Sequence, residues 1–189
     1  YNESSFQIPV NSSKQVNITT STPLGTAGGT YNGVINISEQ NISRTINIQA
    51  EVSETYTYSV SPVSVNGTKP VSSAGSLGNV IIINTGNMNL SFALNSTNSS
   101  ITMPNQSSIF VPILNNVSFS VNFTAPSLEG TYNATITITN SSYSVSQTNI
   151  SVILTATRLN VTILSPTSIS QLTNITQGRL IEIHANASY

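Results

Sequence analysis

The 189-residue chain has 6% charged residues, a formal net charge of −1, and neither Cys nor Trp. Ordinary soluble domains are roughly 25% charged, so solubility here must come from neutral polar groups or from covalently attached ones. The absence of Cys excludes disulfides and thiolate metal sites. The near-zero net charge argues against nucleic acid or an anionic membrane surface as partner, and no apolar run reaches the roughly 18 residues of a membrane span.

The length suffices for one large or two small domains. Ser, Thr and Asn dominate, there are six Glu and no Asp, and the pattern is not that of disorder, because Ile, Val, Leu, Phe and Tyr recur in clean alternation. In chain order, Ser4–Val10 places Phe6, Ile8 and Val10 on one side, and Val16 and Ile18 do the same a turn later. The alternation predicts strands near 5–10, 14–20, 30–38, 43–53, 56–65, 78–84, 88–94, 107–113, 117–124, 130–139, 145–157, 159–164 and 179–186. No segment keeps a helical period over three turns. Short, regular strands between Gly and Pro predict an all-β fold of Ig-like β-sandwich type.

An internal repeat organises these strands. Ser4–Val10 matches Ser107–Ile113, Val16-Asn17-Ile18-Thr19 matches Val121-Asn122-Phe123-Thr124, Pro23 matches Pro126, and Gly29-Thr30-Tyr31-Asn32-Gly33 matches Gly130-Thr131-Tyr132-Asn133-Ala134. The offsets run from 101 to 105 residues, about one Ig-sized domain. The second copy has a front half, Val80–Leu90, which reads as strand, turn and strand around Thr85-Gly86. The first copy has none, and Leu159–Pro166 and Arg179–Ala185 look like opening strands without a continuation. The expected organisation is an arm at 1–20, an incomplete sandwich from 21–54 plus 159–189, and a complete one at 55–158. The partial domains complete each other within one chain or between chains, or they are cut from a longer array; these three sources stay open. A chain opening at Tyr1 fits a mature form whose signal peptide has been removed, or a fragment.

The strongest chemical signal is the glycosylation sequon Asn-x-Ser/Thr. It occurs at Asn2, Asn11, Asn17, Asn36, Asn41, Asn66, Asn89, Asn95, Asn98, Asn105, Asn116, Asn122, Asn133, Asn140, Asn149, Asn160, Asn174 and Asn186, which is 18 of 24 Asn. Chance alone would place about seven, so the excess points to an exported N-glycoprotein. Asn17, Asn36, Asn122, Asn133 and Asn149 fall on the polar phase of their strands, where a glycan fits.

Catalytic constellations are weak. His184 is the single His and sits on an expected strand, the Glu at 3, 39, 51, 54, 129 and 182 are scattered, and no cofactor or metal-ligand spacing exists. Glu51 and Glu54 are close in sequence, but glycoside hydrolysis needs two carboxylates about 5–9.5 Å apart in a cleft. Gly25-Thr26-Ala27-Gly28-Gly29 precedes a strand rather than a helix and reads as a turn. Lys14 and Lys69 are candidates for Lys–Asn isopeptide crosslinks, against the plainer reading as solvated lysines. Tyr31 and Tyr132 head the matched hairpins as corner tyrosines. Pro9 and Pro112 mark edges or bulges.

Ile-x-Asn-Thr-Gly at 82–86 and Gly-Thr-Tyr-x-x-x-Ile-x-Ile at 130–138 resemble Ig-like or fibronectin-type modules of prokaryotic surface proteins, over roughly 55–158. An incomplete sandwich leaves an open edge and groove, which an incoming strand can fill. Phe6, Ile8, Val10, Val16 and Ile18 would bury roughly 1.5–3 kcal/mol each before association costs. With the free arm, the absent Cys, the low charge and the dense sequons, the chain resembles the subunits of the archaeal thread, a glycosylated surface pilus joined by donor-strand complementation. The resemblance implies an N-terminal donor strand within residues 1–20, a head-to-tail homopolymer on the cell surface, a role in adhesion to cells or abiotic surfaces or in biofilm, and no cofactor beyond covalent glycans. The alternative is a non-polymerising stalk or carbohydrate-binding module of a surface-layer glycoprotein.

Overall fold

A computed structural model describes residues 5–39, 41–143 and 146–158, together with the backbone of 160–165 and 184–188. Thirteen strands and no helix are found among them. β1 (Gly29–Glu39) and β2 (Ile42–Val52) form a hairpin by themselves. The sandwich follows. β3 (Tyr58–Ser61), β5 (Ala74–Asn84), β9 (Asn116–Thr124) and β7 (Thr102–Pro104) make a four-stranded sheet in that order. β4 (Ser64–Pro70), β11 (Gln147–Thr157), β10 (Gly130–Asn140), β6 (Leu90–Ser96) and β8 (Ser108–Val111) make the facing five-stranded sheet. β12 (Asn160–Ser165) and β13 (His184–Ser188) form a separate antiparallel pair.

The all-β, Ig-like sandwich is the expected fold, and alternation is its cause. Val80 and Ile82 of β5 and Phe119 and Val121 of β9 point inward from one sheet, and Leu90, Phe92, Ile136, Ile138, Ile150 and Val152 meet them from the other. Thr and Asn take the outward positions of β10 between Ala134, Ile136 and Ile138. A smaller cluster of Phe123, Ala125, Leu154 and Ala156 closes one end against Leu77, Val71 and Tyr132.

Several details depart from the expected strands. The expected strand at 56–65 is two strands in different sheets. β3 pairs with β5, while β4 runs parallel to β11 with Ser64 opposite Ser151. Pro62 lies between them, and it can donate no ladder bond, so the chain changes sheets there. β7 was not expected; at three residues it carries no readable alternation. The strands expected at 5–10 and 14–20 have no ladder partner among the described residues, and a strand forms only where another offers its edge. β13 begins at His184, and residues 179–183 of its expected span lie outside the described residues.

Candidate assembly interface

The β1–β2 hairpin is a copy of β10–β11 in register as well as sequence. Gly29 faces Val52 as Gly130 faces Ala156, Tyr31 faces Ala50 as Tyr132 faces Leu154, and Ile35 faces Ile46 as Ile136 faces Ile150. Their surroundings differ. Ile136, Ile138, Ile150 and Val152 are all 0% exposed beneath the opposing sheet. Of their counterparts, Ile37 and Ile46 are each 44% exposed, and Ile35 and Ile48 are half-buried. The hairpin thus presents the apolar face of a sandwich without the second sheet. Its sequon Asn36 is on the other face, where Thr45 donates to the Asn36 carbonyl at 3.1 Å.

The arm that precedes it copies β8, its turn and β9. The Ser12 amide donates to the Pro9 oxygen at 3.1 Å and the Asn115 amide to the Pro112 oxygen at 3.2 Å. The third residue of each turn has positive φ, 60° at Asn11 and 53° at Leu114, the pattern of a type II turn. The corner before the hairpin repeats too. The Tyr31 phenol donates to the Ala27 oxygen at 2.8 Å and the Tyr132 phenol to the Leu128 oxygen at 3.0 Å. Gly29 and Gly130, two residues before each Tyr, have φ of 143° and 155°, which only glycine adopts freely.

This places the residues expected to act as a donor strand. Phe6, Ile8, Val16 and Ile18 correspond to Ile109, Val111, Val121 and Phe123, all buried in the sandwich. In the arm, Ile8 and Ile18 are exposed and Phe6 and Val16 half-buried. Val10 is different: it lies in the Pro9–Ser12 turn, is 92% exposed, and corresponds to Ile113 in the equivalent turn. Residues 5–52 therefore carry counterparts of β8 to β11 and lack those of β3 to β7. One signal was missed in the sequence. Val60-Ser61-Pro62-Val63-Ser64-Val65 recurs as Leu164-Ser165-Pro166-Thr167-Ser168-Ile169. β12 pairs antiparallel with β13 just as β3 pairs with β5 at the opening of the sandwich.

The hairpin is tied to the sandwich by a polar joint. The Asn87 side-chain oxygen accepts from the Thr55 amide at 2.7 Å and from the Thr55 hydroxyl at 2.9 Å, and its side-chain nitrogen donates to the Ser53 oxygen at 2.9 Å. The Gly28 amide donates to the Asn87 oxygen at 3.3 Å. Buried Asn84 supports this loop, donating to the oxygens of Met88, Val111 and Pro112 and accepting from the Gly86 amide. Tyr56 stacks on Tyr143 with ring centroids 4.2 Å apart, and its phenol donates to the Glu54 carboxylate at 2.6 Å. That hydrogen bond holds the Tyr56 pKa above the usual phenol value. The Gly-rich stretch at 25–29 is a turn in this joint.

Sequon positions sort by exposure. Asn11, Asn17, Asn36, Asn41, Asn66, Asn89, Asn95, Asn105, Asn116, Asn133 and Asn149 are exposed, and Asn98 and Asn122 half-buried. Asn140 is the exception at 3% exposed; its side-chain oxygen accepts from the Ser142 amide at 2.9 Å. Its amide is the least accessible to a glycan of the sequon positions described. Asn2 and Asn174 lie outside the described residues, and Asn160 and Asn186 are placed by backbone in β12 and β13.

Other candidate chemistry finds little geometry. Among the described residues no group of three or more His, Cys, Asp or Glu is placed to hold a metal ion. Glu54 is engaged by Tyr56, and Glu51 sits opposite Thr30 in the hairpin ladder. The Lys69 ammonium lies over the Phe123 ring, 5.5 Å from its centroid, a cation–π contact rather than a crosslink geometry. His184 is a strand residue at the start of β13.

No family model matches the chain, and no curated protein matches it. Solved structures do. The PapD-like domain 7 of human CEP192 matches with TM-score 0.46 and 10% identity, over 64% of this chain and 99% of that one. SSP-19, an MSP-domain protein of Caenorhabditis elegans, matches with TM-score 0.43 and 12% identity, over 51% of this chain and 98% of that one. The E. coli chaperone DraB matches with TM-score 0.41 and 8% identity, over 52% of this chain and 54% of that one. These are PapD-like and MSP-type β-sandwich domains.

Proposed function

We propose that the protein is a structural subunit of an extracellular, N-glycosylated filament, polymerised head to tail by strand completion between copies. One observation carries the reading: residues 5–52 are the closing half of a sandwich whose apolar face has no cover among the described residues, beside a complete copy that shows how such a face is covered. An uncovered face and two free edges are a liability that pairing removes.

The ends of the sandwich supply the direction. The linker at 53–57 is fixed at the end formed by Asn87 and the start of β11, where the Tyr58 phenol meets Thr148 at 3.2 Å. The chain leaves β11 at the other end, where the Val71 amide donates to the Thr157 oxygen and the Arg158 amide to the Glu129 carboxylate. The 11 residues of β11 separate these ends, about 36 Å at 3.3 Å per residue. Unlike halves at opposite ends make a heterologous contact that propagates instead of closing. Phe6, Ile8, Val16 and Ile18 enter the junction as core. The glycans cover the outward faces, and adhesion or biofilm is the role such a fibre serves at a cell surface.

A second reading is favoured by the third partial copy at 160–188: the same sandwiches run in one continuous stalk. Electron microscopy of native surface material separates the two. Filaments that dissociate in denaturant to single-subunit chains support the proposal; a stalk leaves one long chain.

A further inference from the structure

One cleft of the sandwich is built around a sequon. Asn122 stands in the middle of a cross-strand row on β9, opposite Ser76 of β5 on one side and Met103 of β7 on the other. We infer that this cleft seats the first sugars of an N-linked glycan carried by Asn122 itself, so that the glycan lies over Met103 and fastens the edge strand β7 to its sheet. The inference rests on the glycoprotein reading above and adds where one of the glycans lies and what it holds.

The cleft has the size and lining that a sugar needs. Its volume is about 520 Å³, within the roughly 300–1,000 Å³ of small-ligand sites. The apolar Ile101 and Met103 line it beside the hydroxyl-bearing Ser76, Ser99 and Thr124. A sugar ring offers a face of C–H groups to the first kind of wall and a rim of hydroxyls to the second. Phe123, between Asn122 and Thr124, is 5% exposed and turned into the core, so the two defining residues of the sequon share the outward face.

β7 gains most from such a cover. It is three residues long, ends at Pro104, and takes its ladder bonds from β9 alone among the described residues. Met103 at its centre is 47% exposed. A short edge strand with an exposed apolar side chain is stabilised when that side chain is covered.

The other sequon positions lack this setting. Asn122 is half-buried, whereas Asn66, Asn95, Asn133 and Asn149 are exposed. Asn98, also half-buried, is held in the turn before β7: its backbone oxygen accepts from the Ile101 and Thr102 amides and its side-chain oxygen from the Ser100 hydroxyl. The Asn122 side chain has no hydrogen-bond partner among the described residues. Its nitrogen is therefore available to bond the anomeric carbon of a phosphate-activated donor sugar, releasing one proton as the phosphate leaves.

Methionine oxidation reads the seat directly, because Met88 and Met103 are the two methionines of the chain. The native chain and the variants Asn122→Gln, Thr124→Ala and Asn133→Gln, all produced in the native glycosylating cells, are treated with dilute hydrogen peroxide. Mass spectrometry scores the oxidation of Met103 against that of Met88 and maps the glycopeptides in the same digest. Met103 should oxidise at least about threefold more slowly in the native chain and in Asn133→Gln than in Asn122→Gln or Thr124→Ala, since thioether oxidation follows exposure. Thr124→Ala keeps Asn122 and removes only the sequon, so agreement between these two variants assigns the shielding to the glycan. Equal Met103 rates in the native chain and both sequon variants, with Asn122 occupied, would overturn the seat and leave the glycoprotein reading standing. A bare Asn122 among occupied sequons would do the same. Sequons that are all bare would overturn the glycoprotein reading as well.

Discussion

Tyr31 and Tyr132 close the same corner of the same fold, one in an open half and one in a finished sandwich. Each phenol donates to the carbonyl four residues back, at 2.8 and 3.0 Å. Tyr132 also packs against the cluster of Phe123, Ala125, Leu154 and Ala156, whereas Tyr31 is 45% exposed. Tyr132→Phe should cost about 1 kcal/mol of sandwich stability, the worth of one such bond. Tyr31→Phe should leave the main urea transition in place and weaken assembly instead. Equilibrium unfolding of both variants, with sedimentation of the second, checks the pair.

The core shows the same asymmetry more strongly. Ile136 is fully enclosed and Ile35 is its half-buried counterpart. Ile136→Ala should destabilise the sandwich by about 2–5 kcal/mol. Ile35→Ala should have a far smaller effect on the unfolding of dissociated chains, because no second sheet among the described residues encloses it, and a clear one on assembly. Comparable unfolding losses for both would show that the hairpin face is already covered within one chain.

The pH response of the joint follows from Tyr56. The hydrogen bond to Glu54 favours the neutral phenol, so the folded pKa lies above the unfolded one. The contact is therefore fully present below the unfolded phenol pKa near 10 and is lost as the pH rises through the higher folded value. Ultraviolet titration should show Tyr56 ionising later in the native chain than in Glu54→Gln, which removes the largest cause of the shift. A wild-type curve identical to that of Glu54→Gln would refute the assignment.

Glycan mapping by mass spectrometry should find Asn140 bare. Its amide is buried in the turn that leads to β11, with Ser142 bound to its oxygen. Exposed Asn66, Asn95, Asn133 and Asn149 should be modified. An occupied Asn140 would mean that the end of β10 is not built as described.

Much of the sandwich was legible because its strands alternate so regularly. Ile136 and Ile138 between threonines, or Phe119, Val121 and Phe123 on one side of β9, leave little choice of face. The repeat was legible through Gly-Thr-Tyr because φ and the phenol bond both constrain that corner. Other features were not. The exchange of sheets at Pro62 depends on which edge is free, and β7 is too short to show a period. The joint rests on Asn87, whose partners Ser53 and Thr55 lie more than 30 residues away and which no local pattern marks. Val10 looked like a strand residue because the turn at Pro9 continues the alternation by one position. The opening strands at 159–185 are legible, but the match of Leu164–Ile169 to Val60–Val65 is faint, because Ser-Pro-Thr-Ser-Ile shares only three identical residues with its counterpart.

The central claim is that the open face of residues 5–52 is covered by another copy. Sedimentation velocity of the intact chain over a wide concentration range tests it most directly, with Ile48→Asp as the comparison, a charge on the hairpin's apolar face outside the folded sandwich. The account predicts linear oligomers that lengthen with concentration for the native chain and a monomer for the variant. A native chain that stays monomeric at every concentration, or a variant that assembles equally well, would contradict it.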